Sequence, residues 1–271
     1  NKKFILYFVS IGTFLFAIYA FSLPDQFKSS AVLKVNSDSS SSQNIQQYQG
    51  IASLIGIDVS SNSGVSKSNL AIEILSSKSF IKHLLSLDDF SNQIINAVGF
   101  DTKTNKILYK NSNSTENDFL KVHEVYFNEM LEISLDKKNF IKVSITHVSP
   151  IFSKTFLELM IKELNNLVKN QDMNEASSSL NYLKQLLPNT KDIELKNSIA
   201  DLMKNNLKIM TLTNIKDDYI LEYVDEPFLP REKDSPFRIL IIIIGFFVSF
   251  FSALTLLFIF SSLKNKRKES I

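Results

Sequence analysis

The sequence predicts an α+β protein in which two terminal transmembrane helices flank a single external domain, built from a membrane-proximal α/β base and a long protruding helical arm. Three observations predict it. Charge-free apolar runs occupy residues 4–23 and 239–263, alternating apolar residues mark strands far apart in the chain, and nothing stops a helix between Pro150 and Pro188.

The ends come first, because the bulk composition hides them. A hydrophobic content of 44% and a mean hydropathy near zero are ordinary values, so the apolar residues matter through their clustering. The run 4–23 makes a helix of roughly 30 Å at 1.5 Å per residue, the thickness of a hydrocarbon core. It exceeds the ~7 to 15 apolar residues of a secretory signal, and no small-x-small cleavage site precedes Pro24, so it is expected to stay as an anchor. Lys2 and Lys3 precede it, and Lys264, Lys266, Arg267 and Lys268 follow the second run. The positive-inside rule then puts both termini in the cytoplasm. The expected division is a cytoplasmic N-terminus (1–3), a first span (4–23), the external domain (24–238), a second span (239–263) and a cytoplasmic tail (264–271). Within the domain, residues 24–148 and 213–226 form the base, 149–212 the arm and 227–238 a Pro-rich connector.

Residues 24–238 hold 24 Lys or Arg against 27 Asp or Glu, so the basic balance of the whole chain comes from its short ends. No nucleic-acid surface is indicated. With no cysteine, disulfides, thiolate metal sites and thiol nucleophiles are excluded, and the external domain must stand on packing alone.

Along that domain, Pro24 ends the first helix and residues 29–35 alternate as a strand leaving the membrane. The Ser- and Gln-rich stretch 37–49 reads as a loop opening a helix. Leu70, Ile74, Ile81, Leu84 and Leu85 fall near helical spacing with a break around residues 76–79, giving two short helices in tandem. Residues 115–118 resemble a capping box ahead of a helical stripe of Phe119, Val122, Tyr126 and Met130. Leu131, Ile133 and Leu135, then a turn at 136–139, then Ile141, Val143 and Ile145 spell a β-hairpin closing at His147. Ser149 is a good N-cap and Pro150 suits N1, so the longest helix starts there and reaches roughly 57 Å before Pro188. A returning helix carries Ile193, Ile199, Leu202, Met203, Leu207 and Met210, and a last strand covers 219–224.

Chemistry is sparse. His83, His123 and His147 lack any recognised ligand spacing, and no G-x-S-x-G, H-E-x-x-H or G-x-x-x-x-G-K-[ST] occurs. Asp88-Asp89 and Asp217-Asp218 suit solvated turns better than a glycosidase pair, since adjacent carboxylates point apart. The expectation is no catalytic residue, no metal and no cofactor.

Two stretches suggest interaction instead. Met173, Ala176, Leu180, Leu183 and Leu187 repeat at 3,4,3,4 spacing, which serves packing on the returning helix, on a neighbouring subunit's arm, or both. A thin helical pair buries little area alone, which favours some intersubunit burial. Pro227, Pro230 and Pro236 make the segment before Arg238 extended and stiff: a plain spacer, or a strut coupling the domain to the second span.

These features resemble the Wzz-type polysaccharide co-polymerases, chain-length determinants of O-antigen lipopolysaccharide. The residues that carry the likeness are Leu23-Pro24 with 29–33, the stretch 71–80, the run 141–150 ending in Ser149-Pro150, Leu164-Asn165 in the long helix, and 225–236 ahead of the last span. The second span departs from the family in holding Gly245 as its one glycine, which puts close helix packing in doubt. The resemblance implies a non-enzymatic regulator in the Gram-negative inner membrane with its main domain in the periplasm. It implies a ring-like homo-oligomer, a Wzy-type polymerase as partner and a lipid-linked glycan nearby. Pro227, Pro230, Pro236, Arg238 and Gly245 then become membrane-coupling or polymerase-contact residues, and the heptad stripe an oligomer or arm-packing set. Capsule or exopolysaccharide co-polymerases share this frame, but kinase-bearing ones are expected to carry a Walker motif after the second span, where 264–271 holds none. A two-span sensor would need a separate cytoplasmic partner.

Overall fold

The computed structural model describes residues 2–36, 67–110 and 119–269; for 2–4, 67 and 259–269 it describes the backbone alone. The expected loop at 37–49 and capping box at 115–118 lie outside the described residues.

The first helix, α1 (Lys2–Ser22), gives way at Pro24 to strand β1 (Phe27–Val35). Helices α2 (Lys67–Ser76) and α3 (Lys78–Leu87) follow in tandem. Ser77 separates them by accepting a hydrogen bond from the Phe80 amide, an N-cap that the sequence break anticipated. A short α4 (Ser91–Asn96) leads into a hairpin of β2 (Ala97–Asp101) and β3 (Lys106–Tyr109). That hairpin was not legible: its strands are brief, and its turn is made by Asp101 accepting from Lys103 N and Thr104 Oγ1, with Asn105 at φ 53°. Those two bonds hold the Asp101 carboxyl below its ordinary pKa.

Helix α5 (Phe119–Val125) carries the predicted stripe but finishes as a π turn (Tyr126–Met130), which the 3.6-residue period could not foretell. Strands β4 (Leu131–Leu135) and β5 (Phe140–His147) form the expected hairpin, Asn139 taking the left-handed position at φ 61°. Then come α6 (Pro150–Leu186), a 3-10 turn (Leu187–Asn189), α7 (Ile193–Ile215), β6 (Leu221–Asp225) and α8 (Arg238–Glu269).

The main sheet runs β4-β5-β1-β6, antiparallel throughout. Register places Ser29, Ala31 and Leu33 opposite Ile145, Val143 and Ile141, and all six are buried on one face. The base half of α6 lies across that face through Phe156, Leu157, Met160, Ile161 and Leu164, with Phe80, Leu84, Val122 and Tyr126 joining the same core. The opposite face is polar, as an antiparallel sheet permits: Ser30 meets Ser144, Lys34 pairs with Glu222, and Lys28 pairs with Glu132. The Lys28 hydrogen bond keeps the Glu132 carboxyl below its usual range.

One residue fixes the junction of arm and base. Buried Asn165, midway along α6, donates to Leu221 O and accepts from the Ile220 and Leu221 amides, each at 2.9 Å. These three bonds anchor β6 as the chain returns from the arm, with Tyr219 Oη donating to Asp172 two turns further out. Beyond that level the arm is a bare helical pair. Ala176, Leu180 and Leu183 are buried against α7, and Met173 Sδ accepts from Thr213, whereas Leu187 falls in the 3-10 turn and is half-buried. Of the returning helix only Ile199 and Thr213 are buried; Ile193 and Leu207, part of the pattern that marked the helix, are 76% and 51% exposed. The reason is geometric, since a two-helix arm has one seam and cannot cover a stripe wider than it.

Replacing Asn165 by Ala strands two amides and a carbonyl in the core, and should cost about 3 kcal/mol. Urea unfolding of the detergent-solubilised chain reads it, and an unchanged midpoint would refute the anchoring role. His147 supplies a pH test. It is buried beside Phe152, its Nδ1 accepts from Ser149 N and its Nε2 donates to Gln93 O. Burial lowers its pKa below 6.5. Stability is therefore full above pH ~6.5 and declines as pH falls through the depressed value, by at most about 1.4 kcal/mol per pH unit. Thermal melts at pH 7.5 and 5 should show a drop that His147→Asn reduces.

Candidate functional site

Where the domain joins the two apolar helices, its ends are tied together by long-range polar contacts. Ile5–Ser22 and Arg238–Phe258 are both long and apolar enough to cross a membrane, and only 11% and 17% of these stretches is buried. A core helix of a soluble protein would be mostly covered. Instead, each presents its apolar side outward, and they lie against one another.

The seam between them is built from small residues. Gly245, Ser249 and Ala253 repeat every four residues along one face of α8 and are all buried. A Cβ on Gly245 would stand 2.3 Å from Phe16 Cγ, and one on Gly12 would stand 2.7 Å from Ser249 Cβ. Both positions must therefore be glycine for the helices to approach this closely. The doubt raised by the scarcity of glycine in the second span is overturned: serine and alanine complete the small face, and Gly12 supplies the missing relief from the first span. The spacing of residues 245, 249 and 253 was readable in the sequence, but Gly12 gains meaning only from its partner.

Just outside the seam sits a clasp. Arg238, the first residue of α8, donates through Nη2 to Asp25 Oδ1 at 2.8 Å and to Leu23 O at 3.4 Å, with its guanidinium 5.3 Å from the Phe21 ring centre. Lys233 donates to the same Asp25 oxygen. Gln26 and Ser235 form a bridge: Gln26 N donates to Ser235 O, Asp234 N to Gln26 O, and Ser235 Oγ to Gln26 Oε1. An ion pair at a bilayer surface is less screened than one in open water, so this clasp outweighs an ordinary surface pair. The Nε of Arg238 is buried without a hydrogen-bond partner.

The connector continues β6 alongside the start of β1. Ser29 Oγ donates to Phe228 O, and the next point of contact is Gln26 with Ser235. Three steps along β1 are thus matched by seven along the connector, so residues 229–234 bulge outward. The bulge frames a cleft of about 720 Å³ lined by Lys28 and residues 228–234. Pro230 is buried and lines it, Pro227 just before it is also buried, and Pro236 is half-buried beside the clasp. The Ser235–Pro236 peptide is cis.

Of the predicted coupling residues, Pro227, Pro230, Pro236 and Arg238 thus lie between the base and the span seam, and Gly245 lies within the seam. Asp25, Gln26 and Gly12, which complete that structure, carried no sequence signal. The predicted arm residues form a separate group at the opposite end. The histidines have packing partners: His83 meets Glu163 at 3.0 Å, His123 stacks on Phe127, and His147 is in the core. Asp218 is raised above its ordinary pKa by burial and then by the carboxylates around it, and Tyr223 is pushed up to about 12 chiefly by burial.

Residues 1–86 match the family model for Wzz, the chain length determinant protein. They comprise the first span, the clasp's Asp25 and Gln26, strand β1 and helices α2 and α3. A full-length bacterial polysaccharide co-polymerase is 13% identical, with 97% of this chain and 95% of that chain covered and a TM-score of 0.41. A fragment of WzzB, a polysaccharide co-polymerase from Salmonella Typhimurium, is 14% identical over 78% of this chain and 100% of its own, with a TM-score of 0.34. A Wzz dodecamer fitted to a cryo-EM map is 13% identical over 77% and 100%, with a TM-score of 0.26. Comparison with curated protein sequences finds no match.

The chain has no cysteine, so an introduced pair reports cleanly. Gln26→Cys with Ser235→Cys should oxidise to a bond within one chain in native membranes, visible as a mobility shift without reductant. Failure of that pair to form while each single variant remains thiol-reactive would show that the clasp does not hold.

Proposed function

We propose that this protein sets the length of lipopolysaccharide O-antigen chains without catalysing their synthesis, beside a Wzy-type polymerase in the Gram-negative inner membrane. Both termini lie in the cytoplasm, the domain stands in the periplasm, and several copies form a ring. The observation that carries this reading is the match of residues 1–86 to the chain length determinant family. The architecture supports it. A protein that measures without reacting needs a rigid body fixed to the membrane at a defined attitude, and the spans, clasp and sheet supply one.

Within this reading the coupling residues act by orientation. Pro227, Pro230 and Gly245 face inward and Arg238 is engaged in the clasp, so they fix how the second span leaves the base. The surface left for a membrane partner is the outward side of α8, where Phe246, Phe247 and Phe251 are 45%, 54% and 61% exposed. Contact between arms falls to residues outside the seam of α6 and α7, such as Tyr182 and Ile193, since the stripe of Ala176, Leu180 and Leu183 is covered within its own chain.

The test is the lipopolysaccharide banding pattern of the native host, a strain deleted for the gene, and that strain complemented. Deletion should replace a clustered distribution by a random, short-biased ladder that complementation restores. An unchanged ladder would overturn the O-antigen reading and direct attention to capsule or exopolysaccharide. In the complemented strain, Arg238→Ala should broaden the distribution while protein abundance in the membrane stays level.

A further inference from the structure

The bulged loop at residues 229–234 has a charge pattern the clasp does not use up. Of the cations that line the cleft, Lys28 is paired with Glu132 and Lys233 with Asp25. Arg231 makes no ion pair or hydrogen bond among the described residues and is exposed. Glu232 and Asp234 line the same cleft with exposed side chains. Counted with their partners Asp25, Glu132 and Arg238, the lining residues make four cations facing four carboxylates. That balance disfavours a purely anionic ligand, because any phosphate drawn to Arg231 also meets two carboxylates. It suits a ligand carrying both signs.

Position supplies the second argument. The 21 residues of α1 span about 31 Å, so Ser22 and the clasp above it stand at the top of the hydrocarbon and in the headgroup layer. The loop ends at Asp234, four residues before Arg238 enters the membrane. Phe228 and Leu229, at its other end, are 56% and 49% exposed, as apolar residues at a lipid interface are. The highest local concentration of any ligand here is that of lipid headgroups.

We propose that the cleft binds a zwitterionic phospholipid headgroup with a phosphate and a primary ammonium. The guanidinium of Arg231 takes the phosphate through paired N–H donors, and Glu232 and Asp234 accept from the ammonium. A primary ammonium has three donors, whereas a quaternary one has none, so an ethanolamine headgroup is preferred over choline. The site rests on the membrane-spanning reading of the two helices and is independent of which polysaccharide is measured.

The experiment uses the full chain in nanodiscs of equal parts phosphatidylethanolamine, phosphatidylglycerol and phosphatidylcholine, with lipid retained after gentle extraction counted by native mass spectrometry. Wild type should retain phosphatidylethanolamine over either competitor by about tenfold, and Arg231→Ala should abolish the preference. Glu232→Gln with Asp234→Asn should turn it towards phosphatidylglycerol, a reversal that general loosening of the loop does not produce. Equal retention of the three lipids by wild type would overturn the proposal, as would a preference that neither variant alters. Because the readout is lipid and not glycan, an unchanged lipopolysaccharide ladder in the deletion strain leaves this result standing, and absent selectivity leaves the chain-length role standing.

Discussion

The antiparallel pairing of the first strand with the last is the constraint on which the molecule depends. β1 follows the first span and β6 precedes the second, so hydrogen bonding between residues 32–35 and 221–225 returns the chain to where it began. A protein with membrane-spanning ends must satisfy this closure in some way, because both spans enter one bilayer from one side. The sheet satisfies it with backbone hydrogen bonds, which tolerate side-chain change. The clasp then carries the closure down to the membrane surface through Gln26, Ser235, Asp25 and Arg238, and the small-residue seam carries it through the hydrocarbon. Helix association inside lipid gains nothing from the hydrophobic effect, so that last stage relies on close approach, which Gly12 and Gly245 permit.

The arm obeys a different rule. Near the base, α6 is covered by the sheet and by the helices before it, and its buried residues follow nearly every turn from Phe152 to Val168. Further out, its single neighbour is α7, and burial thins to one residue per turn or fewer. Asn165 stands near this transition, where a polar group in the core is fully bonded and defines the geometry by which β6 leaves the arm. A rigid foot and a thinly packed outer limb follow from the same helix meeting different numbers of neighbours.

Sequence reasoning reached the elements whose physics is local. The spans, the β4–β5 hairpin, the Ser149 cap, the Ser77 break and the stop at Pro188 each depend on residues within a few positions of one another, and each stands where expected. It failed where meaning comes from a partner distant in the chain. Gln26 and Ser235 are ordinary polar residues 209 positions apart until the sheet closes them together, and Gly12 is an unremarkable residue in an apolar run until Ser249 occupies its flank. The periodic pattern on α7 marked the helix correctly but not its burial: periodicity shows which residues share a face, not how much of that face a neighbour can cover. The site was thus half legible, its prolines and arginine by composition, its counterparts on the first strand not at all.

Among the described residues, the core of the base leaves no side chain free for a further task. The buried interior of the base is filled by aliphatic and aromatic side chains, and its polar members are occupied in holding backbone. What remains to vary between otherwise similar foldings is the attitude of the second span, which is set by one short connector with three prolines and one shared carboxylate, Asp25, held by Arg238 and Lys233 together. A small change there passes to the base and arm through the first strand, because Asp25 and Gln26 of the clasp lead directly into β1 at Phe27. At a radius of about 56 Å, the length of α6, a tilt of a few degrees at the clasp displaces the arm tip by several ångströms. In the ring proposed above, residues that touch nothing but their own chain therefore set how neighbouring copies meet.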